Sequence, residues 1–308
     1  MSDKLILVTG GTGFIGSHLV EDLIRRGEKP LILTRSVTNF SRVEKLMGKL
    51  KSINYVDFLN GNENIEIEGV IHLATSYKRF HDSNDIESMI SANITVPSQV
   101  LEKAIYYGAN FILNTSSFFR YSLGGDSILN EDTKTKPYNF YAASKVAFEK
   151  MLDFYSMEKG LKALSLVLFS PYGPMDNPNK LIPTVINKCL SGQKLSLTNG
   201  EQRLDFTYIS DIVDAYEKAI YYLRNSVKNE HELINVGSGK NYSVREIVSE
   251  IEGLIGINIC KSWDGMSIDS FNVMSDNTKA MKKIGWSPSW NLISGLNKTI
   301  HYYMGVSN

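Results

Sequence analysis

Through its first half the chain alternates between short continuous apolar blocks and longer stretches in which apolar residues recur every third or fourth position. Blocks of the first kind read as strands buried on both faces, and stretches of the second kind as amphipathic helices. The pattern predicts strands over 4–9, 30–34, 53–56, 68–73, 110–115 and 161–169, with helices over 14–27, 41–49, 85–107 and 139–159. Such alternation is the sequence form of a parallel sheet wrapped by helices on both faces. Ligands of these sheets collect at the carboxyl ends of the strands, near the switch in strand order. The residues just after each strand are therefore where chemistry is sought.

Beyond Phe169 the texture changes, with Pro171, Gly173, Pro174, Pro178 and Pro183 crowded together ahead of a helix predicted at 181–190. This reads as an exit into a second lobe. Phe206-Thr207-Tyr208-Ile209 and Leu233-Ile234-Asn235-Val236 read as strands again, on either side of a helix at 211–224. The expected architecture is α/β: a Rossmann-type doubly wound parallel sheet over 1–171 with a return segment at 206–236, and a smaller, discontinuous α/β substrate-binding lobe within 172–308. No repeat or flexible linker separates the two, so they are expected to be intimately joined.

The first strand runs into Thr9-Gly10-Gly11-Thr12-Gly13-Phe14-Ile15-Gly16 at the head of the first helix. Gly10 suits the tight turn, Gly13 close approach of the backbone to a pyrophosphate, and Gly16 close packing of helix on sheet. Free N–H groups at the helix N-terminus and its dipole then favour phosphate. The expectation is a dinucleotide site.

Charge narrows the partners. Lysine and arginine number 33, as do aspartate and glutamate, so no global field recruits nucleic acid or an anionic membrane. Two cysteines, Cys189 and Cys260, make neither a disulfide framework nor a zinc site, and both are expected to be buried. No metal site is expected. Without an apolar run of about 18 residues or a signal-like beginning, the expected location is the cytoplasm.

Tyr141 and Lys145 stand four apart on a predicted helix, an i, i+4 spacing that places both on one face. A nearby ammonium favours the phenolate and lowers a phenol pKa that is otherwise near 10. The pair is thus a candidate for moving a proton. A strand end carrying Thr115-Ser116-Ser117 precedes this helix.

Together these residues resemble the extended short-chain dehydrogenase/reductase family, also called the NAD-dependent epimerase/dehydratase family, whose members mostly act on nucleotide-activated sugars. The resemblance extends through Ile71-His72-Leu73-Ala74, Asn93, Tyr172-Gly173-Pro174, Asp205-Phe206-Thr207-Tyr208-Ile209-Ser210-Asp211, Asn235-Val236-Gly237-Ser238-Gly239, Ser275-Asp276-Asn277-Thr278-Lys279 and Gly285-Trp286-Ser287-Pro288. It implies that Tyr141 exchanges a proton with a sugar oxygen, Lys145 lowers its pKa and binds the nicotinamide ribose, and Ser117 hydrogen-bonds the same oxygen. A register slip of one would give that last role to Ser116. Cofactor contacts are implied for Gly10, Gly13, Phe14, Ile15, Gly16, Arg35, Ser36, Asp57, Leu73, Ala74, Asn93, Tyr141 and Lys145. Thr75, Phe118, Asn179, Lys180 and Arg203 are implied on the substrate side. A homodimer through helices 85–107 and 139–159 is a further implication.

Departures from the family pattern sharpen this. NAD-specific members place an acid at the end of the second strand, where this chain has Arg35-Ser36. A guanidinium cannot accept from a ribose hydroxyl but suits a 2′-phosphate, so NADP(H) is preferred, with NAD(H) the alternative. Phe118-Phe119 follows Ser117 where the 4,6-dehydratases carry Asp-Glu, and phenyl rings shuttle no protons, which excludes that dehydration. The rings line the sugar pocket or pack under it. Neither Cys189 nor His72 is placed to serve as the acid–base pair of the 3,5-epimerising reductases. Arg203 precedes by one residue the place of the family's diphosphate-binding arginine, held here by Leu204. The expected function is NADPH-dependent reduction of a 4-keto nucleotide deoxysugar, with looser similarity to CDP-abequose and CDP-paratose synthases. A nucleotide-sugar C4 epimerase with retained NAD, and a non-catalytic NAD(P)-binding sensor or assembly protein, are the alternatives.

Overall fold

Strands Leu5–Thr9 (β1), Pro30–Thr34 (β2), Lys51–Asn54 (β3), Ile67–His72 (β4), Phe111–Ser117 (β5), Lys162–Leu168 (β6) and His231–Val236 (β7) form one parallel sheet. Its spatial order is β7-β6-β5-β4-β1-β2-β3, so the order switches between β1 and β4. The computed structural model describes residues 4–61, 64–123, 128–265 and 271–305.

Successive side chains of a strand point to opposite faces, and each face has its own set of helices. Ile6 and Val8 of β1 pack with helices Phe14–Arg25 (α1) and Ile209–Asn225, through Leu19, Leu23, Ile212 and Ala219. Leu7 points the other way, into a cluster with Val100 and Leu101 of helix Val96–Tyr106 (α2) and Phe148 and Leu152 of helix Phe140–Lys159 (α3). Leu7 is fully buried, and its replacement by alanine would cost about 2–5 kcal/mol. Helices Leu181–Ser191 (α4), Ile209–Asn225 (α5), Val244–Ile255 (α6) and Leu292–Tyr303 (α7) follow in the chain. Val185, Ile247 and Leu296 of the last lobe belong to the same apolar cluster as Ile6 and Val8. These helices thus share the core of one sheet face, while Phe271 and Val273 pack with Val167 of β6 and Phe169.

Several elements differ from the sequence expectation. The predicted helix 85–107 is interrupted: a 3-10 turn at Ser83–Asp85 leads to Ile86–Ile90, then a π-helical turn at Ser91–Thr95, and only then α2. Pro97, which has no N–H to donate, is the second residue after that turn. The third strand lies two residues earlier than expected because Asn54 accepts from the Val56 N–H at 2.9 Å and starts a short helix, Tyr55–Asn60. The expected strand at 206–209 shrinks to Thr207–Tyr208, paired only with Pro171–Tyr172. Asp205 explains the shortening, since its buried carboxylate accepts from the Ser238, Gly239 and Ser275 N–H groups and turns the chain away. Cys189 is buried as expected, whereas Cys260 is exposed. It lies between α6 and the strand Lys261–Gly265, and Leu195 N–H bonds to its carbonyl.

Candidate active site

At the switch between β1 and β4, Gly10 takes the left-handed conformation, φ +71°, and the Gly13 N–H closes the turn on the Gly10 carbonyl at 2.9 Å. A Cβ on Gly16 would lie 2.1 Å from that carbonyl oxygen and 2.7 Å from Gly11 Cα. Gly16 is thus required by the turn itself rather than by helix–sheet packing. The helix opens at Gly13 with no side-chain cap and no acid in its first turn. Its first N–H groups meet no competing carboxylate, which fits an anionic pyrophosphate. Thr9 draws the end of β4 against this turn: its Oγ1 accepts from the Ala74 N–H at 3.2 Å and lies 2.8 Å from His72 Nδ1.

Arg35 and Ser36 are exposed just past β2. The Arg35 backbone is held by Thr38 Oγ1 at 3.0 Å. Its guanidinium makes no hydrogen bond or ion pair among the described residues. Asp57 is also exposed, in the first turn of the helix after β3.

On the other side of the switch, Asn139 accepts from the Ala142 N–H at 2.9 Å and starts α3, so Tyr141 and Lys145 fall in its first two turns. Both are buried. The ring of Tyr77 meets that of Tyr141 edge-on at 4.9 Å. Asn93, in the π-helical turn, accepts from the Ser76 N–H at 2.7 Å and the Thr75 hydroxyl at 3.0 Å. It donates to the Ser76 carbonyl at 3.0 Å and to Ser144 Oγ at 2.9 Å. This side chain, expected at the cofactor, latches the loop after β4 to α3. Tyr216 of α5 lies beside Tyr141 and bonds Thr115 of β5 through its hydroxyl at 2.5 Å.

From spacing alone, the Lys145 ammonium is the expected influence on Tyr141, lowering its pKa. In the structure burial outweighs it: the Tyr141 phenol is pushed up, first by burial and then by Tyr77, with the Thr75 hydroxyl pulling it down and Glu149 adding to the rise. Lys145 is itself brought down to about 8 by burial, opposed by Glu149. The Tyr141 phenol is therefore held in its neutral form.

The two serines at the end of β5 are distinguished by their partners. Ser116 is buried and donates to the Glu149 carboxylate. Ser117 is half-buried and accepts only a long 3.4 Å bond from the Phe119 N–H. Phe118 packs inward on Phe169, ring centroids 5.4 Å apart, while Phe119 stands with Tyr138 and Phe271. Phe118 thus lies under the wall, not on it.

The remaining cations do not converge. Lys180 pairs with Asp176 at 3.0 Å and lies 5.3 Å from the Phe14 ring, beside the glycine-rich turn. Asn179 is exposed, with its N–H on Asn177 Oδ1 at 3.0 Å. Arg203 is occupied by Asn241 Oδ1 at 3.1 Å, the Asn241 carbonyl at 3.2 Å and Glu246 at 2.9 Å. Residues not foreseen from the sequence include Arg120, Ser144, Glu149 and Tyr216. Only Glu149 left a sequence signal, as the next i+4 step after Tyr141 and Lys145. Among the described residues no group of three or more His, Cys, Asp or Glu side chains gathers to hold a metal, and no helix is long and apolar enough to cross a membrane.

A glycine-rich turn at the switch of a doubly wound sheet, with a buried Tyr–Lys pair across from it, defines a Rossmann-type dinucleotide-binding enzyme. Residues 6–237 match the NAD dependent epimerase/dehydratase family, and the chain belongs to it. It is 27% identical over 305 residues to a CDP-abequose synthase of Salmonella muenchen, covering 97% of each chain. To a dTDP-4-dehydro-6-deoxyglucose reductase of Escherichia coli it is 26% identical over 312 residues, covering 96% of each. Among solved structures, the UDP-glucose 4-epimerase of Thermotoga maritima with UDP-glucose superposes with a TM-score of 0.87 at 25% identity, covering 98% of this chain and 99% of that one.

Proposed function

We propose that this enzyme reduces the 4-keto group of a nucleotide-linked deoxysugar and consumes NADPH. The observation that carries the reading is Arg35. Where an acid would hold a ribose 2′-hydroxyl, the chain presents an exposed guanidinium with no partner among the described residues and Ser36 beside it, a pairing suited to a 2′-phosphate. A reductase consumes its cofactor, whereas an epimerase recycles it, so selection of the phosphorylated form favours reduction. The kinship to a CDP-abequose synthase and a dTDP-4-dehydro-6-deoxyglucose reductase supports this substrate class.

The cofactor would be held by Gly10, Gly13, Phe14, Ile15 and Gly16 at the turn, Arg35, Ser36 and Asp57 at the adenosine end, and Leu73, Ala74, Tyr141 and Lys145 toward the nicotinamide. When bound it supplies hydride to the carbonyl carbon. Tyr141, held protonated by burial, gives its proton to the carbonyl oxygen, and Lys145 stabilises the phenolate left behind. Ser117 donates to the same oxygen, because Ser116 is committed to Glu149. Phe119 and Thr75 flank the sugar, with Asn179, Lys180 and Arg203 on the nucleotide side. A homodimer in the cytoplasm completes the reading. Its support is the apolar surface left exposed on α2 and α3 by Tyr106, Met151, Phe154 and Met157.

The second reading is a C4 epimerase that retains NAD, which needs the same three groups; the likeness to the Thermotoga maritima epimerase favours it. A purely structural role is disfavoured by the burial of a lysine that no packing argument requires. Fluorescence titration of the cofactor-stripped protein with NADPH and NADH separates the two main readings. A preference for NADPH that disappears in Arg35→Ala is expected. Tight NAD(H) retention without preference would move the epimerase to first place.

A further inference from the structure

Tyr141, Lys145 and Glu149 follow one another at successive i+4 steps on one face of α3. Glu149 is 2% exposed. A carboxylate so deeply buried is costly unless it is paired and hydrogen-bonded. Oε1 accepts from Ser116 Oγ, and Oε2 accepts from Arg120 Nε at 3.3 Å and Nη2 at 3.2 Å. Arg120 is also buried, and its Nη1 has no partner. Apolar residues in place of both Glu149 and Arg120 would pack α3 on β5 without burying a charge or leaving that donor unsatisfied. Since Ser116 and Arg120 take up both oxygens, Lys145 meets the field of Glu149 rather than a direct bond.

We infer that Glu149 is a positioning residue of the proton-transfer site, which sets a buried carboxylate one helical turn from Lys145 and, through Ser116, fixes the end of β5 that carries Ser117. The titratable and charged groups around it are Lys145 and Tyr141 on α3 and Arg120 and Tyr121 after β5, with His72 at the end of β4 on the Lys145 side. His72 is pushed well down by burial and by Lys145, and so contributes no charge. Burial alone drives Lys145 toward its neutral form, and Glu149 opposes this. The inference rests on reading Tyr141 and Lys145 as the proton-handling pair.

The test is NMR titration of the full chain labelled at lysine Cε, with Lys145→Arg used to assign the signal, in wild type, Glu149→Gln and Arg120→Gln. The wild-type midpoint is expected near 8. Glu149→Gln should lower it by about one pH unit, and Arg120→Gln, which removes the cation that offsets Glu149, should raise it. The alkaline limb of kcat/KM should move the same way in each variant. A Lys145 midpoint unmoved in both variants, with only the denaturation midpoint altered, would overturn the inference and leave Glu149 a structural partner of Arg120. If Glu149→Gln does not fold, Arg120→Gln decides by the sign of its shift. A wild type that turns over no 4-keto nucleotide sugar would instead count against the reductase reading, and the lysine titration would still decide the role of Glu149.

Discussion

The sheet domain and the C-terminal segment treat two candidate phosphate-binding arginines in opposite ways. Arg35, beyond β2, is exposed and uncommitted, whereas Arg203 in the second lobe is already engaged by Asn241 and Glu246. Lys180 is likewise matched to Asp176. A phosphate that reaches Arg35 displaces only water, while one that reaches Arg203 must compete with a carboxylate. Glu246 has a further task, because its carboxylate also accepts from the Ser243 N–H at 2.6 Å to cap α6. The contrast teaches that charge type does not by itself identify an anion site; what matters is whether the fold has already answered the charge. Tyr141 and Lys145, by contrast, are buried and fixed on α3.

The largest expected effect separates the chemistry from both arginines. Tyr141→Phe should reduce turnover by roughly 10²–10⁴-fold while NADPH affinity, measured by fluorescence titration, stays within about twofold of wild type. Undiminished turnover would remove Tyr141 as the proton donor. Next, Arg35→Ala should weaken NADPH binding about 10–100-fold, the worth of hydrogen bonds to a charged group, and leave NADH binding unchanged. Equal loss for both cofactors would mean that Arg35 acts on the adenosine as a whole.

A pH profile probes the interior. Lys145 is fully charged below its depressed pKa and loses its proton as pH rises through about 8. Reduction should therefore fall on the alkaline side, approaching tenfold per pH unit above that midpoint. A profile flat to pH 10 would contradict the need for the ammonium. The smallest effects belong to the committed cation. Arg203→Gln should raise KM for the sugar nucleotide only about two- to fivefold, because an exposed ion pair is worth at most about 1 kcal/mol. Glu246→Gln should lower KM at low salt, with the gain lost at high salt as exposed charges are screened. A hundredfold KM defect in Arg203→Gln would show that the carboxylate yields readily and would erase the distinction between the two arginines.

How far the sequence could be read follows the same division. The central sheet strands were legible because they are buried on both faces and so read as continuous apolar blocks, as in Ile6-Leu7-Val8, whereas the polar edge strand Lys51–Asn54 was misplaced by two residues. The glycine-rich turn and the Tyr141–Lys145 pair were legible because their geometry is set within one loop and one helix. Partners brought from afar were not: the burial that outweighs Lys145 at Tyr141, the Asn93 latch to Ser144, and the Glu246 that answers Arg203 all depend on tertiary neighbours. The π-helical turn at Ser91–Thr95 escaped an apolar pattern that continues through it, and the exposure of Cys260 escaped a rule that treats free thiols as small apolar groups. Asp205 shortened an expected strand because three distant N–H groups converge on its carboxylate.

The most direct test of the central claim is to incubate the cofactor-stripped enzyme with 4-keto-6-deoxy nucleotide sugars and NADPH deuterated at the transferring position, and to follow the product by mass and NMR. The account predicts one deuterium at C4 of the reduced sugar for each NADPH oxidised. Interconversion of C4-epimeric nucleotide sugars with bound NAD, without net oxidation of NADPH and without deuterium in the product, would contradict it.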